Sequence, residues 1–165
     1  MNITFGGKPI HLKGTPLTKG AQLPAFTLTG MDLAPFSSDQ IQMPAVILAF
    51  PSVDTSVCSL ELLTFNDRLE GTGFNVYGVS CDLPFAMDRW VKANAGEYIT
   101  MLSDYKDRSF GEATGTLIDD LKILARAAFI FDAKGQCQYA EFVPEVGNEP
   151  DYDAILDKAT EIFQG

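Results

Sequence analysis

An α/β fold, with a mixed central sheet covered by helices on both faces, is what this sequence predicts. Three observations lead there. Short continuous apolar runs alternate with stretches of helical periodicity. The alternation gives way late in the chain to two apolar runs around a turn signal, Asp132-Ala133-Lys134-Gly135. An amphipathic segment then closes the chain. Strands alternating with helices bury a sheet on both faces, and a terminal hairpin makes that sheet mixed rather than wholly parallel.

Taken in order, the chain opens with Ile3–Phe5 and Pro9–Leu12 around Gly6-Gly7, which reads as a β-hairpin. Phe26–Thr29 is the next strand candidate. Ala45–Phe50 is an unbroken apolar run bounded by Pro44 and Pro51, the pattern of a fully buried central strand. A helix follows, because Cys58, Leu62, Phe65 and Leu69 share one helical face. Asp54, Thr55 and Ser56 are its N-cap candidates, and Gly71 and Gly73 end it. Phe74–Ser80 reads as a second buried strand, Pro84–Ala93 as a second helix and Tyr98–Leu102 as a third strand. Ile123–Phe131 and Gln136–Val143 form the late hairpin. Asp151–Phe163 is the closing helix, with Ala154, Ile155, Ala159, Ile162 and Phe163 on its apolar side. This order suits a thioredoxin-like fold with an N-terminal β-hairpin. The length of 165 residues, with no repeat or linker, suits one domain over residues 1–165.

Composition excludes several function classes. The formal charge is −10 at pH 7, and basic residues do not cluster, which argues against a nucleic-acid partner. No apolar run approaches the roughly 18 residues of a membrane helix. Met1–Lys13 lacks the basic-then-apolar order of a secretory signal, so a cytoplasmic address is expected. The three cysteines, Cys58, Cys81 and Cys137, form no C-x-x-C pair, which disfavours a thiol–disulfide oxidoreductase. With a single histidine, His11, a zinc site is not expected.

The stretch that carries chemistry is Phe50-Pro51-Ser52-Val53-Asp54-Thr55-Ser56-Val57-Cys58. It runs from the end of a buried strand into the first turn of a helix, and α/β sheets gather their sites beyond the carboxyl ends of their strands. A free thiol with a pKa near ~8.5 is mostly protonated at neutral pH, and only the thiolate attacks. A helix N-terminus offers unpaired N–H groups and partial positive charge, both favouring the anion. The Thr55 hydroxyl lies one turn earlier, within reach of the sulfur and of a bound oxygen. Pro51 has no N–H, and its ring can wall the site from water. Arg126 stands inside the apolar run Ile123–Phe131, and a buried arginine needs an anionic partner; a thiolate would be one. Singly, each residue has a bland explanation: a small core residue, an N-cap, a strand terminator, an edge arginine. Together, at these spacings, they point to a nucleophilic cysteine.

Pro51-x-x-x-Thr55-x-x-Cys58 matches the P-x-x-x-T/S-x-x-C signature of peroxiredoxins. The chain resembles one branch in particular, the bacterial thiol peroxidases or atypical two-cysteine peroxiredoxins. The resemblance runs on through Phe65-Asn66, Asp82-Leu83-Pro84-Phe85-Ala86, Ala125-Arg126-Ala127 and Glu149-Pro150-Asp151-Tyr152, over essentially the whole chain. It implies a thioredoxin fold and reduction of alkyl hydroperoxides and hydrogen peroxide. Cys58 would be the peroxidatic residue, with Pro51, Thr55 and Arg126 as its pocket. Attack leaves a cysteine sulfenic acid. The resemblance implies no metal, haem or flavin cofactor. It implies a homodimer, and thioredoxin or another thiol as reductant.

One departure bears on the second half of the cycle. The branch usually carries a resolving cysteine directly after an Arg-aromatic pair. Here the pair is Arg89-Trp90 and the next residue is Val91. Three routes then remain open for the sulfenic acid: an external thiol, Cys81 at the end of the second buried strand, or a disulfide between chains. Two other functions stay in view, a peroxide sensor that passes its oxidation to a partner and a thioredoxin-fold binding module without chemistry.

Overall fold

The computed structural model describes residues 1–94 and 96–164. The strands are β1 (Ile3–Phe5), β2 (Lys8–Ile10), β3 (Leu12–Lys13), β4 (Thr27–Gly30), β5 (Pro35–Ser37), β6 (Ala45–Ala49), β7 (Val76–Ser80), β8 (Thr100–Ser103), β9 (Leu117–Ile118), β10 (Ile123–Leu124), β11 (Ala127–Phe131) and β12 (Cys137–Phe142). The helices are α1 (Ser56–Leu69), α2 (Pro84–Asn94), α3 (Ser109–Thr114) and α4 (Tyr152–Gln164).

Seven strands make the main sheet, in the order β12-β11-β6-β7-β8-β4-β5. β6, β7 and β8 run parallel, while β11 and β12 on one side and β4 and β5 on the other pair antiparallel. The mixed α/β sheet expected from the sequence is therefore present. β6 is central and all five of its residues are buried, as its unbroken apolar run requires. Alternation sorts its side chains. Val46 and Leu48 face the layer of α1, α2 and α4; Ala45, Ile47 and Ala49 face the opposite layer, which holds Phe110 of α3. The predicted face of α1 is the buried one: Cys58, Leu62, Phe65 and Leu69 lie in the same core as Met87, Trp90, Ile155 and Ala159.

The N-terminal hairpin forms as expected, Ile3 pairing with Ile10 and Phe5 with Lys8. Gly6 and Gly7 take φ of 61° and 79°, the left-handed values that a two-residue turn of this kind demands. A third small core lies between the hairpin and the rest, built from Ile3, Ile118, Ala125 and Val146.

The run Ile123–Phe131 is not one strand, which corrects the reading of the sequence. Its first two residues pair with β9 in a three-stranded sheet, β10-β9-β3, and its last five belong to the main sheet. The chain changes sheets at Ala125-Arg126, where Ala125 N–H donates to Thr116 O at 2.7 Å and Val143 N–H donates to Arg126 O at 3.0 Å. Apolarity alone does not reveal this, because both segments are apolar and most of their residues are buried.

Candidate active site

Four elements build the site. β6 delivers the chain to Pro51, which is buried. The loop that follows is held by Asp82, just beyond β7. The Asp82 carboxylate accepts from Ser52 Oγ at 2.6 Å, Val53 N–H at 2.9 Å and Ser80 Oγ at 2.6 Å. Of the three cap candidates, Thr55 is the N-cap of α1. Its Oγ1 accepts from Cys58 N–H at 3.0 Å, and its carbonyl accepts from Ser59 N–H at 3.0 Å. Such a cap contributes about 1 kcal/mol to the helix. Cys58 therefore sits in the first helical turn, where the helix end favours an anion.

Arg126 comes from the junction of β10 and β11. It shares the strand parity of Ala128 and Ile130, whose side chains lie in the helix-side core with Cys58. All three edges of its guanidinium are used. Nη2 donates to Cys58 Sγ at 3.1 Å, Nη1 to Glu61 Oε1 at 2.7 Å and Nε to Val146 O at 2.9 Å. The expected anionic partner is thus a pair, the sulfur and the carboxylate of Glu61. Burial works against the Arg126 charge, and Glu61 with Cys58 outweighs it, holding the group above its ordinary value.

Glu61 was not singled out from the sequence. It is fully buried, and its Oε2 has no hydrogen-bond partner among the described residues. Burial pushes its carboxyl up to about 7, against the pull of Arg126. Among the described residues one guanidinium thus faces two acidic groups, the Cys58 sulfur and the Glu61 carboxyl. A signal existed: Glu61 stands three residues after Cys58 and four before Phe65, on the apolar face of α1, where an acid requires a buried cation.

α2 closes over this turn. Trp90 Nε1 donates to Ser59 Oγ at 3.0 Å, and Arg89 pairs with Asp54 at 2.7 Å. Val91, which follows the Arg89-Trp90 pair, is half-buried against the same core as Cys58. Cys58 is fully buried.

Cys81 does lie at the carboxyl end of β7, next to β6, but it packs into the opposite core from Cys58. Burial, reinforced by Asp104, pushes its thiol up to about 12. Cys137 is fully buried in that same core, with Sγ 3.2 Å from Tyr139 O. All three thiols are free. Among the described residues no three His, Cys, Asp or Glu side chains converge as a metal site requires. No helix among them is long and apolar enough to cross a membrane.

A thioredoxin-like sheet that delivers a lone thiol to a helix N-terminus, beside a buried guanidinium, defines a protein of the peroxiredoxin class. Residues 19–140 match the AhpC/TSA family, and the chain belongs to that family. It is 43% identical over 160 residues to the thiol peroxidase of Clostridium acetobutylicum, covering 96% of this chain and 98% of that one. With the thiol peroxidase of Mycobacterium tuberculosis it shares 44% over 158 residues, covering 93% and 95%. A crystal structure of a peroxiredoxin-like protein from Aquifex aeolicus matches with a TM-score of 0.91 at 35% identity, covering 98% of this chain and 96% of that one. The resemblance to bacterial thiol peroxidases and the thioredoxin-like fold read from the sequence are both borne out.

Proposed function

We propose that this chain reduces hydroperoxides at the expense of thiols, with Cys58 as the attacking sulfur. The observation that carries this is the convergence on Cys58 Sγ of a helix N-terminus and the Arg126 guanidinium at 3.1 Å. The thiolate attacks the terminal peroxide oxygen. An S–O bond forms, the O–O bond breaks, and the leaving oxygen departs as alcohol or water after taking a proton. Arg126 steadies the charge that spreads along the breaking bond, the electrostatic role expected of a donor fixed before reaction. Thr55 holds the turn and presents its hydroxyl to the peroxide, and Pro51 keeps water out. The product is a sulfenic acid on Cys58. An external thiol, thioredoxin or a small molecule, then attacks that sulfur to give a mixed disulfide and water, and a second thiol releases Cys58. Cys81 is the weaker candidate for this step, because it faces the other core and its thiol is held in the protonated form.

The same reading takes residues 1–165 as one domain acting in the cytoplasm as a homodimer. Leu60 and Leu63 on α1, with Leu83 and Phe85 at the start of α2, are exposed large apolar residues, and a second copy would cover them. Mass measurement by light scattering tests this; a monomer at micromolar concentration rejects it.

The activity itself is tested by single-turnover oxidation of the reduced chain with cumene hydroperoxide, followed by intact mass with a sulfenic-acid trap. One equivalent should be consumed and one adduct formed, both absent from Cys58→Ser. Consumption no faster than by free cysteine would leave the binding-module reading in its place.

A further inference from the structure

The third edge of the Arg126 guanidinium leads away from the thiol, to the N-terminal hairpin. Nε donates to the carbonyl of Val146 at 2.9 Å. Val146 lies in a loop after β12, outside the main sheet. This loop is held by β1. Thr4 N–H donates to Pro144 O at 2.8 Å, and Val146 N–H donates to Thr4 O at 2.8 Å. Between them stands Glu145. Its Oε1 accepts from Gly7 N–H at 2.8 Å and Thr4 Oγ1 at 3.0 Å, and its Oε2 from Gly147 N–H at 2.7 Å and Gly6 N–H at 3.2 Å. One carboxylate thus gathers the hairpin turn, the strand and the loop. Val146 itself is fully buried in the small core with Ile3.

We propose that the N-terminal hairpin, clamped through Glu145, is the positioning element of Arg126, with Glu145 and Thr4 as its positioning residues. The reason is geometric. A guanidinium held only at its two Nη ends, by Glu61 and by Cys58, can pivot on the stronger of the two contacts, the carboxylate. A carbonyl fixed at Nε removes that rotation and keeps Nη2 directed at Cys58. The carbonyl stays fixed because the hairpin holds the residues on either side of it. The hairpin therefore acts on the sulfur through two intervening groups, without touching substrate.

This inference rests on Cys58 being the reactive thiol, and its test separates the two claims. The Cys58 peptide is followed by mass in the full chain during two reactions across pH: oxidation by hydrogen peroxide and alkylation by iodoacetamide. Glu145→Ala should slow oxidation by about ten-fold, as displaced catalytic groups do. It should also move the pH midpoint of alkylation to higher pH. Thr4→Val, which keeps volume and removes one donor to Glu145, should move both in the same direction by less. Asp132→Asn serves as control. Asp132 also accepts several donors, from Lys134 N–H, Gln136 N–H and Gln138 Nε2, but at the far end of β11 from Arg126. It should lower the thermal midpoint without changing either reaction. In an Arg126→Lys background, Glu145→Ala should add no further loss. Wild-type rates and pH midpoints in Glu145→Ala overturn the proposal, as does slowing matched by Asp132→Asn. Should Glu145→Ala not fold, Thr4→Val and Glu145→Gln decide by the same criteria. A wild-type chain that is alkylated normally but ignores peroxide rejects the peroxidase reading, while the alkylation midpoints still judge the hairpin.

Discussion

The two faces of the central sheet hold nearly the same ingredients and set them to opposite ends. On one face Cys58 lies in the core with the buried carboxyl of Glu61. On the other Cys81 packs near the buried carboxyl of Asp104, with Sγ 3.9 Å from the Asp104 carbonyl. Burial pushes both carboxyls up to about 7. The difference is Arg126, buried between Cys58 and Glu61. Near Cys81 the cation is Arg108, and its pull is outweighed by burial and Asp104, so the thiol is driven up to about 12. The two thiols therefore differ in their surroundings: a buried guanidinium in hydrogen-bond contact and the first turn of a helix, both of which favour an anion, lie beside Cys58.

The contrast breaks most plainly at Arg126. With methionine there, the two faces become alike. Peroxide oxidation of Cys58 should fall by about a hundred-fold or more, the usual loss when a fixed donor is removed from developing charge. Stopped-flow kinetics on Arg126→Met measures it, and a rate within a few-fold of wild type would refute the contrast. The next effect in size is at Thr55. Thr55→Val keeps the shape but loses the cap to Cys58 N–H, and should cost about 1 kcal/mol of stability together with roughly ten-fold in rate. Thr55→Ser should restore most of both, which urea melts and single-turnover kinetics would register.

Asp104 offers a test of the other face. Its folded carboxyl at about 7 lies above the unfolded value of roughly 3.9. Between those values the native chain keeps a proton that the unfolded chain has released. The stabilisation from this group is therefore complete below about pH 4 and is lost as pH rises to about 7. Asp104→Asn should flatten that decline, seen as a smaller difference between urea midpoints at about pH 5 and about pH 8. The smallest effect belongs to Cys81→Ser. Both the oxidation rate and the turnover with dithiothreitol should stay at wild-type values. Turnover that collapses in this variant would make Cys81 the resolving thiol after all.

Much of this was legible beforehand because each signal was local. The run Ala45–Phe50 could only be a central strand, and the four-residue face of α1 could only be buried. Pro51, Thr55 and Cys58 lie within one short stretch, so their grouping needed no tertiary knowledge. Arg126 could be flagged as a charge in an apolar run and offered a thiolate as its partner, but its second partner, Glu61, could not be seen. Glu61 was hidden by its neighbours Leu60, Leu62 and Leu63, which blur the helical face around it. The sheet change at Ala125-Arg126 was invisible, because what breaks the strand is pairing with β9 and Thr116, not any residue within it. The short strands β3 and β9 and the helix α3 were missed for the same reason. Their stability comes from contacts made far along the chain.

Trp90 is the only tryptophan in the chain, and its indole N–H is bonded to the hydroxyl of the residue after Cys58. The molecule thus carries one indole, tied to the turn that bears Cys58. Excited selectively over the tyrosines, its emission would follow any rearrangement of that turn in unlabelled protein, giving an optical signal from one known position.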